Sequence, residues 1–464
     1  MEYYYAKFFL QKGLAFIYLI AFLIVVFQGK ALLGKKGILP APIFIKQASF
    51  RQFPSVFFLY YSDRFFQIMG WIGVSLSLVA VCGISELYGL WISITIWFLL
   101  WAIYLSFVNI GQIFYGYGWE MLLLESGFLA IFLGSINVEP SIWMIWLYRW
   151  VLFRLMFGAG LIKIRGDRCW KDCSSMFYHY ETQPLPGPLS LFFHRLPRSI
   201  HRLSVIFTHF IELVVPVFLL FPGIIGATAG ALTVLFQLVL ILSGNLSWLN
   251  YISLILCFSC FPDSFFSLGI EWKNATHVSY QMVTVGLTAV ILYLSIKPIR
   301  NMFSPSQRMN CRFDPLSLVN SYGAFGSITR VRREIILEGT TDKEISENTK
   351  WIAYEFKAKP GLVTRRPPLV SPYHYKIDWQ MWFAAMTFIP TQDWFFSFVA
   401  RILEGNKDVL SLLKTNPFKD SVPTFIRAEL YEYHFAPSQS PKGIFWVRKR
   451  IGPYLQPSCL RKKD

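Results

Sequence analysis

Charge is scarce in this sequence. Only 15% of its 464 residues are Asp, Glu, Lys or Arg, against roughly a quarter in soluble domains. Hydrophobic residues make up 54% and aromatics 18%, which excludes an ordinary soluble globule, because so much apolar surface could not be hidden from water. Standard catalytic motifs are also missing: there is no nucleophile elbow, P-loop or dinucleotide fingerprint. No block of Lys and Arg interleaved with aromatics forms a nucleic-acid groove. The net charge of +17 lies mostly beyond Lys297 and in two loops, as membrane-flanking charge and a solvated basic face. The seven cysteines have no zinc-site spacing, so neither a metal nor a cofactor is expected. Cys82, Cys257 and Cys260 read as small packing residues, and Cys169 and Cys173 could pair. Internal repeats and low-complexity stretches are absent.

What is present is a series of long apolar runs. About 20 apolar residues span a bilayer as a helix. Runs near 10–28, 68–86, 90–109, 121–137, 142–162, 204–222, 224–243, 250–266 and 280–296 give about nine passes. The fourth and eighth are short, and the eighth could be re-entrant. Spanning backbone must satisfy its own hydrogen bonds, so the bundle is α-helical. Gly158, Gly160, Gly226, Ala227, Ala229, Gly230 and Ala231 suit close helix packing. The chain therefore divides into a polytopic helical domain, 1–300, and a C-terminal α+β extramembrane domain, 301–464.

In the tail, residues 325–338, 350–357, 425–435 and 444–447 have strand composition or alternation. Segments 378–386, 393–403 and 408–414 read as short helices, each opened by an Asp that could cap it. Trp379, Trp382, Phe383, Trp394, Phe395 and Phe396 look exposed and suit docking on the membrane or the bundle.

With nine passes, the basic loops at 29–67 and 163–203 share a side with the tail, which the positive-inside rule makes cytosolic. Two sequons, at Asn245 and Asn274, are glycosylation candidates on opposite sides.

Polar residues inside the spans carry the functional signal, since buried charge in lipid is expensive. Glu120 and Glu125 begin one apolar run. Arg149 and Arg154 lie on the next, which ends at Lys163, Asp167 and Arg168. His209 and Glu212 share one face of the sixth span. Glu120 and Glu125 could pair with Arg149 and Arg154 and lock two helices together. Alternatively, these groups line an aqueous cavity for a polar or anionic headgroup. His209-x-x-Glu212 is too sparse for a metal site and suits a hydrogen-bonded helix interface better. The loop at 178–184, with His179 and Glu181, is dense in donors and acceptors and could form a lid or binding edge.

Several unusual motifs occur in order: YGYGWEMLLLESGFLAIFLG at 115–134, RLMFGAGLIKIRGDRCW at 154–170, HYETQPLP at 179–186, VNSYGAFGS at 319–327, EGT at 338–340 and DWQMWFAA at 378–385. With GILP at 37–40 and FPSV at 53–56, the chain resembles the lipase maturation factor family almost end to end. That resemblance implies a multi-pass protein of the endoplasmic reticulum membrane (the inner membrane in a bacterium) that helps secreted lipases fold and assemble. It implies a luminal C-terminal domain that binds the client, against the charge rule, which long translocated domains often defy. Where the family commonly has a second Cys six residues after Cys169, this chain has Ser175, so no disulfide is carried over. The helical core is also similar to a wider group that includes the vitamin K-dependent carboxylase.

Two readings of different classes follow. As a chaperone-like factor, not an enzyme, the protein would have membrane lipid and a lipase-like client as partners, the client meeting Trp379, Trp382 and Phe383. As a membrane enzyme or lipid handler, it would place Glu120, Glu125, Arg149, Arg154, Lys163, His179 and His209 around one water-filled cavity.

Overall fold

In the computed structural model, which describes residues 2–136, 138–266, 278–419 and 421–460, seven helices are long and apolar enough to cross a bilayer. These are α1 (Tyr4–Leu33), α2 (Asp63–Val81), α3 (Leu90–Ile110), α5 (Ile142–Arg165), α7 (Arg198–Leu219), α8 (Gly223–Ser243) and α10 (Val278–Phe303). Two shorter helices lie among them: α4 (Gly118–Ala130), which carries the buried Glu120 and Glu125, and the apolar α9 (Leu249–Cys260).

Side-chain contacts fix the direction of each. On one side, Lys7 near the start of α1 donates to the carbonyls of Ser135 and Val138, beyond the end of α4. Asp263, past the end of α9, accepts from the backbone N–H of Tyr4 and Tyr5. On the other side, Gln28 near the end of α1 bonds the carbonyl of His374 in the tail, and Trp248, at the start of α9, donates to the carbonyl of Trp119. Among the described residues the ends thus alternate through seven helices of membrane-spanning length and two shorter ones packed between them. Loops 34–62 and 166–197 and the tail share one side, as expected.

The two short passes have a physical cause. A 13-residue helix is only ~20 Å long, against ~30 Å of hydrocarbon. Before α4, Gly111, Gly116 and Gly118 loosen the chain into a 3₁₀ turn, Gln112–Tyr115. Before α9 comes the loop at Asn245. The funnel left above both helices is filled by the tail. Close packing elsewhere uses small residues as anticipated: a Cβ on Gly158 would lie 2.7 Å from the carbonyl oxygen of Tyr322, and one on Gly160 2.9 Å from that of Glu212.

The C-terminal domain is an antiparallel four-stranded sheet with α6 (Met176–Thr182) of the membrane domain against one end. Its strands are β1 (Arg332–Thr340), β2 (Ile352–Ala353), β3 (Phe425–Phe435) and β4 (Trp446–Ser458), in the order β2-β1-β3-β4. Arg332 pairs with Tyr433 and Thr340 with Phe425. Exposed Arg448, Lys449 and Arg450 line edge strand β4, where charge discourages pairing with other chains. Helices α11 (Lys376–Ala384) and α12 (Asp393–Leu403) cover the sheet.

Several expectations for the tail are corrected. The 325–338 strand begins at Arg332, because 325–331 is drawn into loop contacts with the bundle. The 350–357 strand shrinks to two residues, and the 408–414 helix to Lys407–Leu410. The Asp residues do not cap: Asp378 accepts from the backbone of Ala358 and Lys359, and Asn406 caps the last helix instead. All seven cysteines are free thiols, Cys169 and Cys173 included.

Candidate functional site

The intramembrane charges sort into three clusters, two of them closed by residues from the tail. Glu125 pairs with Arg154, as expected. Its other oxygen accepts from the backbone and side-chain N–H groups of Asn320 at 3.0 and 3.1 Å and from the Tyr322 hydroxyl at 2.6 Å. Arg154 donates in turn to the Asn320 carbonyl at 2.6 Å.

Glu120 does not meet Arg149. It takes Lys376 of α11 at 2.8 Å and the hydroxyl of Tyr104, all three fully buried. Lys376 also donates to the Phe114 carbonyl and sits 3.7 Å from the centre of the Tyr115 ring. Arg149 has no carboxylate partner among the described residues. It donates to the carbonyls of Ser259 and Phe221 and to the Tyr3 hydroxyl, and so closes the ends of two helices that leave orphan carbonyls. Neither partner was legible from spacing, because both contacts depend on the positions of distant helix ends.

In the third cluster Lys163 pairs with Glu212. His209 bonds the Trp170 carbonyl at 3.0 Å, so His209-x-x-Glu212 is a helix-interface arrangement. No group of His, Cys, Asp or Glu able to hold a metal occurs among the described residues. Asp167 caps the next short helix through the Cys169 N–H and holds Arg330 at 2.7 Å, while Arg168 is exposed.

Segment 178–184, expected as a loop, is the last part of helix α6 and its exit, and it clamps the tail. Arg332 donates to the carbonyls of Glu181, Gln183 and Pro184 while paired with Glu334. Glu181 accepts from the Phe435 N–H at 2.7 Å and the His434 ring at 3.1 Å. Asn245 serves the same junction. It is 1% exposed, and its amide donates to the carbonyls of Pro186 and Pro368 and accepts from the backbone N–H of Val370 and Ser371. That geometry leaves no room for a sugar, so the sequon reading of Asn245 is corrected. Asn274 lies outside the described residues.

The tail aromatics are also reassigned. Trp379 is buried against Tyr117, Trp119 and His374. Trp382 donates to the Thr182 carbonyl. Phe383 stays partly exposed. Trp394 and Phe395 are buried, and only Phe396 of that trio is open. Trp379 and Trp382 bind the domain to the bundle, whereas Phe395 packs on Tyr454 within the domain, so Trp379 cannot meet a client in this arrangement.

Between the short helices, α5, α7, α8 and α11 lies a cavity of about 560 Å³. Of the seven ionisable groups that the enzymatic reading places around one cavity, Lys163 and His179 line it. Glu120, Glu125, Arg149 and Arg154 find their partners elsewhere, and His209 turns to the Trp170 carbonyl.

Two buried histidines outside the spans make the junction sensitive to acid. Burial, with Lys163 nearby, pushes His179 down to about 4, and burial, with Lys376, pushes His374 down to about 3. Below pH ~6.5 the unfolded chain binds protons that the folded one refuses, so stability falls with pH by up to ~1.4 kcal/mol per unit for each. His434 runs the other way: burial opposes its charge, but Glu432 and Glu181 outweigh it and raise it. It is half exposed and its effect is small. The melting midpoint in detergent is expected to drop between pH 7 and 5, less steeply for His374→Gln. A level profile, or an unchanged slope in the variant, would overturn this.

Comparison with known proteins completes the picture. The family model described as the lipase maturation factor transmembrane domain matches residues 5–268. The model for the lipase maturation factor C-terminal domain matches 318–456. The chain is 39% identical to lipase maturation factor 1 of Mus musculus over 98% of its own length and 87% of the relative's. For lipase maturation factor 1 of Bos taurus the identity is 40%, over 98% and 89%. For lipase maturation factor 2 of Xenopus tropicalis it is 29%, over 96% and 81%. No solved structure matches.

Proposed function

The chain belongs to the lipase maturation factor family, and from that premise we propose that it is a chaperone-like factor of the endoplasmic reticulum membrane that assists the folding and assembly of secreted lipases. We assign it no catalytic step. Its outward helix faces, with Trp91, Ile224 and Tyr293 more than two-thirds exposed, meet membrane lipid. Its C-terminal domain stands in the lumen and meets the client.

One observation carries the reading. The tail is fastened to the bundle by buried polar contacts at Glu120, Glu125, Asn245 and Arg332, yet the turn between α11 and α12 leaves Met386, Phe388 and Ile389 exposed at 42%, 56% and 63%. Arg333 stacks on Phe388 at 4.1 Å. A rigidly held apolar knob beside a cation suits recognition of partly folded protein. This turn replaces the tryptophans of α11 as the client surface.

The test is to replace Phe388 and Ile389 together by Glu in a cell that depends on this factor. Secreted lipase activity is expected to fall at least fivefold while the factor's abundance and melting midpoint hold. Unchanged activity would remove the turn from the client surface. Unchanged activity on loss of the whole protein would remove the lipase role itself.

A further inference from the structure

The cavity beneath α11 contains polar groups that the protein does not satisfy. Among the described residues, Glu212 is 4% exposed and gives one oxygen to Lys163, while Oε2 has no partner. Gln237 is 3% exposed; its amide N–H reaches only the Met156 sulfur at 3.4 Å, and Oε1 has no partner. The Trp119 indole N–H, on a residue 6% exposed, also has none. All three residues line the same cavity. Buried polar atoms normally find partners, and each one left alone costs roughly 1–3 kcal/mol. Three around one void mark a place built for something that supplies donors and an acceptor.

The remaining walls define its class. Leu155, Ala159, Phe236, Leu240 and Leu249 are apolar. The mouth is rimmed by Ile113, Met309, Phe383 and Met386, each at least 36% exposed. A ligand must therefore carry a long apolar part past the mouth and a small polar head inside. The charged residues at the inner end, Lys163 and Glu212, cancel each other, and burial keeps the neighbouring His179 uncharged at neutral pH. An anionic or cationic head would find no counter-charge, and leaving it buried without one is costly. Two unsatisfied acceptors ask for hydroxyl donors, and the indole N–H asks for a carbonyl. The volume falls within the usual range for small-molecule sites, roughly 300–1,000 Å³.

We propose that this cavity binds one molecule of a neutral, single-chain glycerol ester, with its hydroxyls on Glu212 and Gln237 and its ester carbonyl toward Trp119. Nothing in this assignment depends on the lipase role. Occupancy would complete the hydrogen bonding beneath α11, the helix that docks the C-terminal domain.

The probe is a monoacylglycerol with a dibrominated stearoyl chain, added to the full-length protein in detergent while tryptophan fluorescence is recorded. Trp119 and Trp379 line the cavity, so binding there quenches them. Saturable quenching is expected in the wild type. Gln237→Leu keeps the cavity's size and removes one acceptor; it should raise the midpoint about fivefold, the value of one hydrogen bond. Ala159→Phe fills the cavity and should abolish saturation. Dibromostearate, the charged analogue, should bind at least tenfold more weakly. The proposal fails if quenching never saturates, if Gln237→Leu leaves the midpoint in place, or if stearate binds as well as the ester. Should Ala159→Phe not fold, Gln237→Leu and the stearate comparison decide the matter.

Discussion

Lys376→Met is expected to detach the C-terminal domain from the bundle. Lys376 and Glu120 are both 0% exposed and 2.8 Å apart. Burial lowers the affinity of this lysine for its proton, and only Glu120 works against that. Methionine keeps most of the stem and removes the charge, which leaves Glu120 ionised in an apolar setting with only the Tyr104 hydroxyl and, 3.9 Å away, the His374 ring beside it. Breaking a buried pair from one side costs ~3–5 kcal/mol, whereas removing both charges costs far less. The double variant Glu120→Gln, Lys376→Met should therefore recover much of the loss, and a double-mutant cycle isolates the coupling. Limited proteolysis at the 360–375 segment reports detachment directly, and secreted lipase activity should fall with it. If Lys376→Met resisted protease like the wild type, the view that this pair holds the domain would be untenable.

Glu125→Leu should be as severe but act earlier, on formation of the bundle itself. One carboxylate there serves Arg154, both N–H groups of Asn320 and the Tyr322 hydroxyl. Leucine strands a guanidinium and three donors at once. Loss of the pair alone is worth ~3–5 kcal/mol, and each abandoned donor adds roughly 1–3 kcal/mol. Little folded protein should be recovered in detergent. Glu125→Gln, which keeps the shape and one acceptor, should be intermediate. A monodisperse Glu125→Leu protein with wild-type melting would contradict the arrangement. The two sites lie on one short helix, so α4 carries two of the four buried contacts that join bundle and tail.

The extent of what was legible follows from the range of the forces involved. Hydropathy is local, so the long apolar runs, their helical form and the shared side of the basic loops and tail could be read from the chain. Strand β3 and helix α12 emerged with their observed limits, 425–435 and 393–403, because their patterns are strong and their neighbours do not override them. The Glu125–Arg154 pair was legible because two adjacent passes must lie side by side. Lys376 as the partner of Glu120, 256 residues away, was not. Nor was the cavity, which exists because two short helices end below the tail and their tops are roofed by α11.

Composition by itself determined that lipid is the solvent for the first two-thirds of the chain and water for the rest, since apolar area decides partition residue by residue. The motifs added the family. Only the tertiary structure decided which charges neutralise which, that Asn245 is a buried clamp and Trp379 a docking residue, and where unsatisfied polar atoms surround a void. Those outcomes depend on distances between segments far apart in sequence, and a local pattern does not encode a distance.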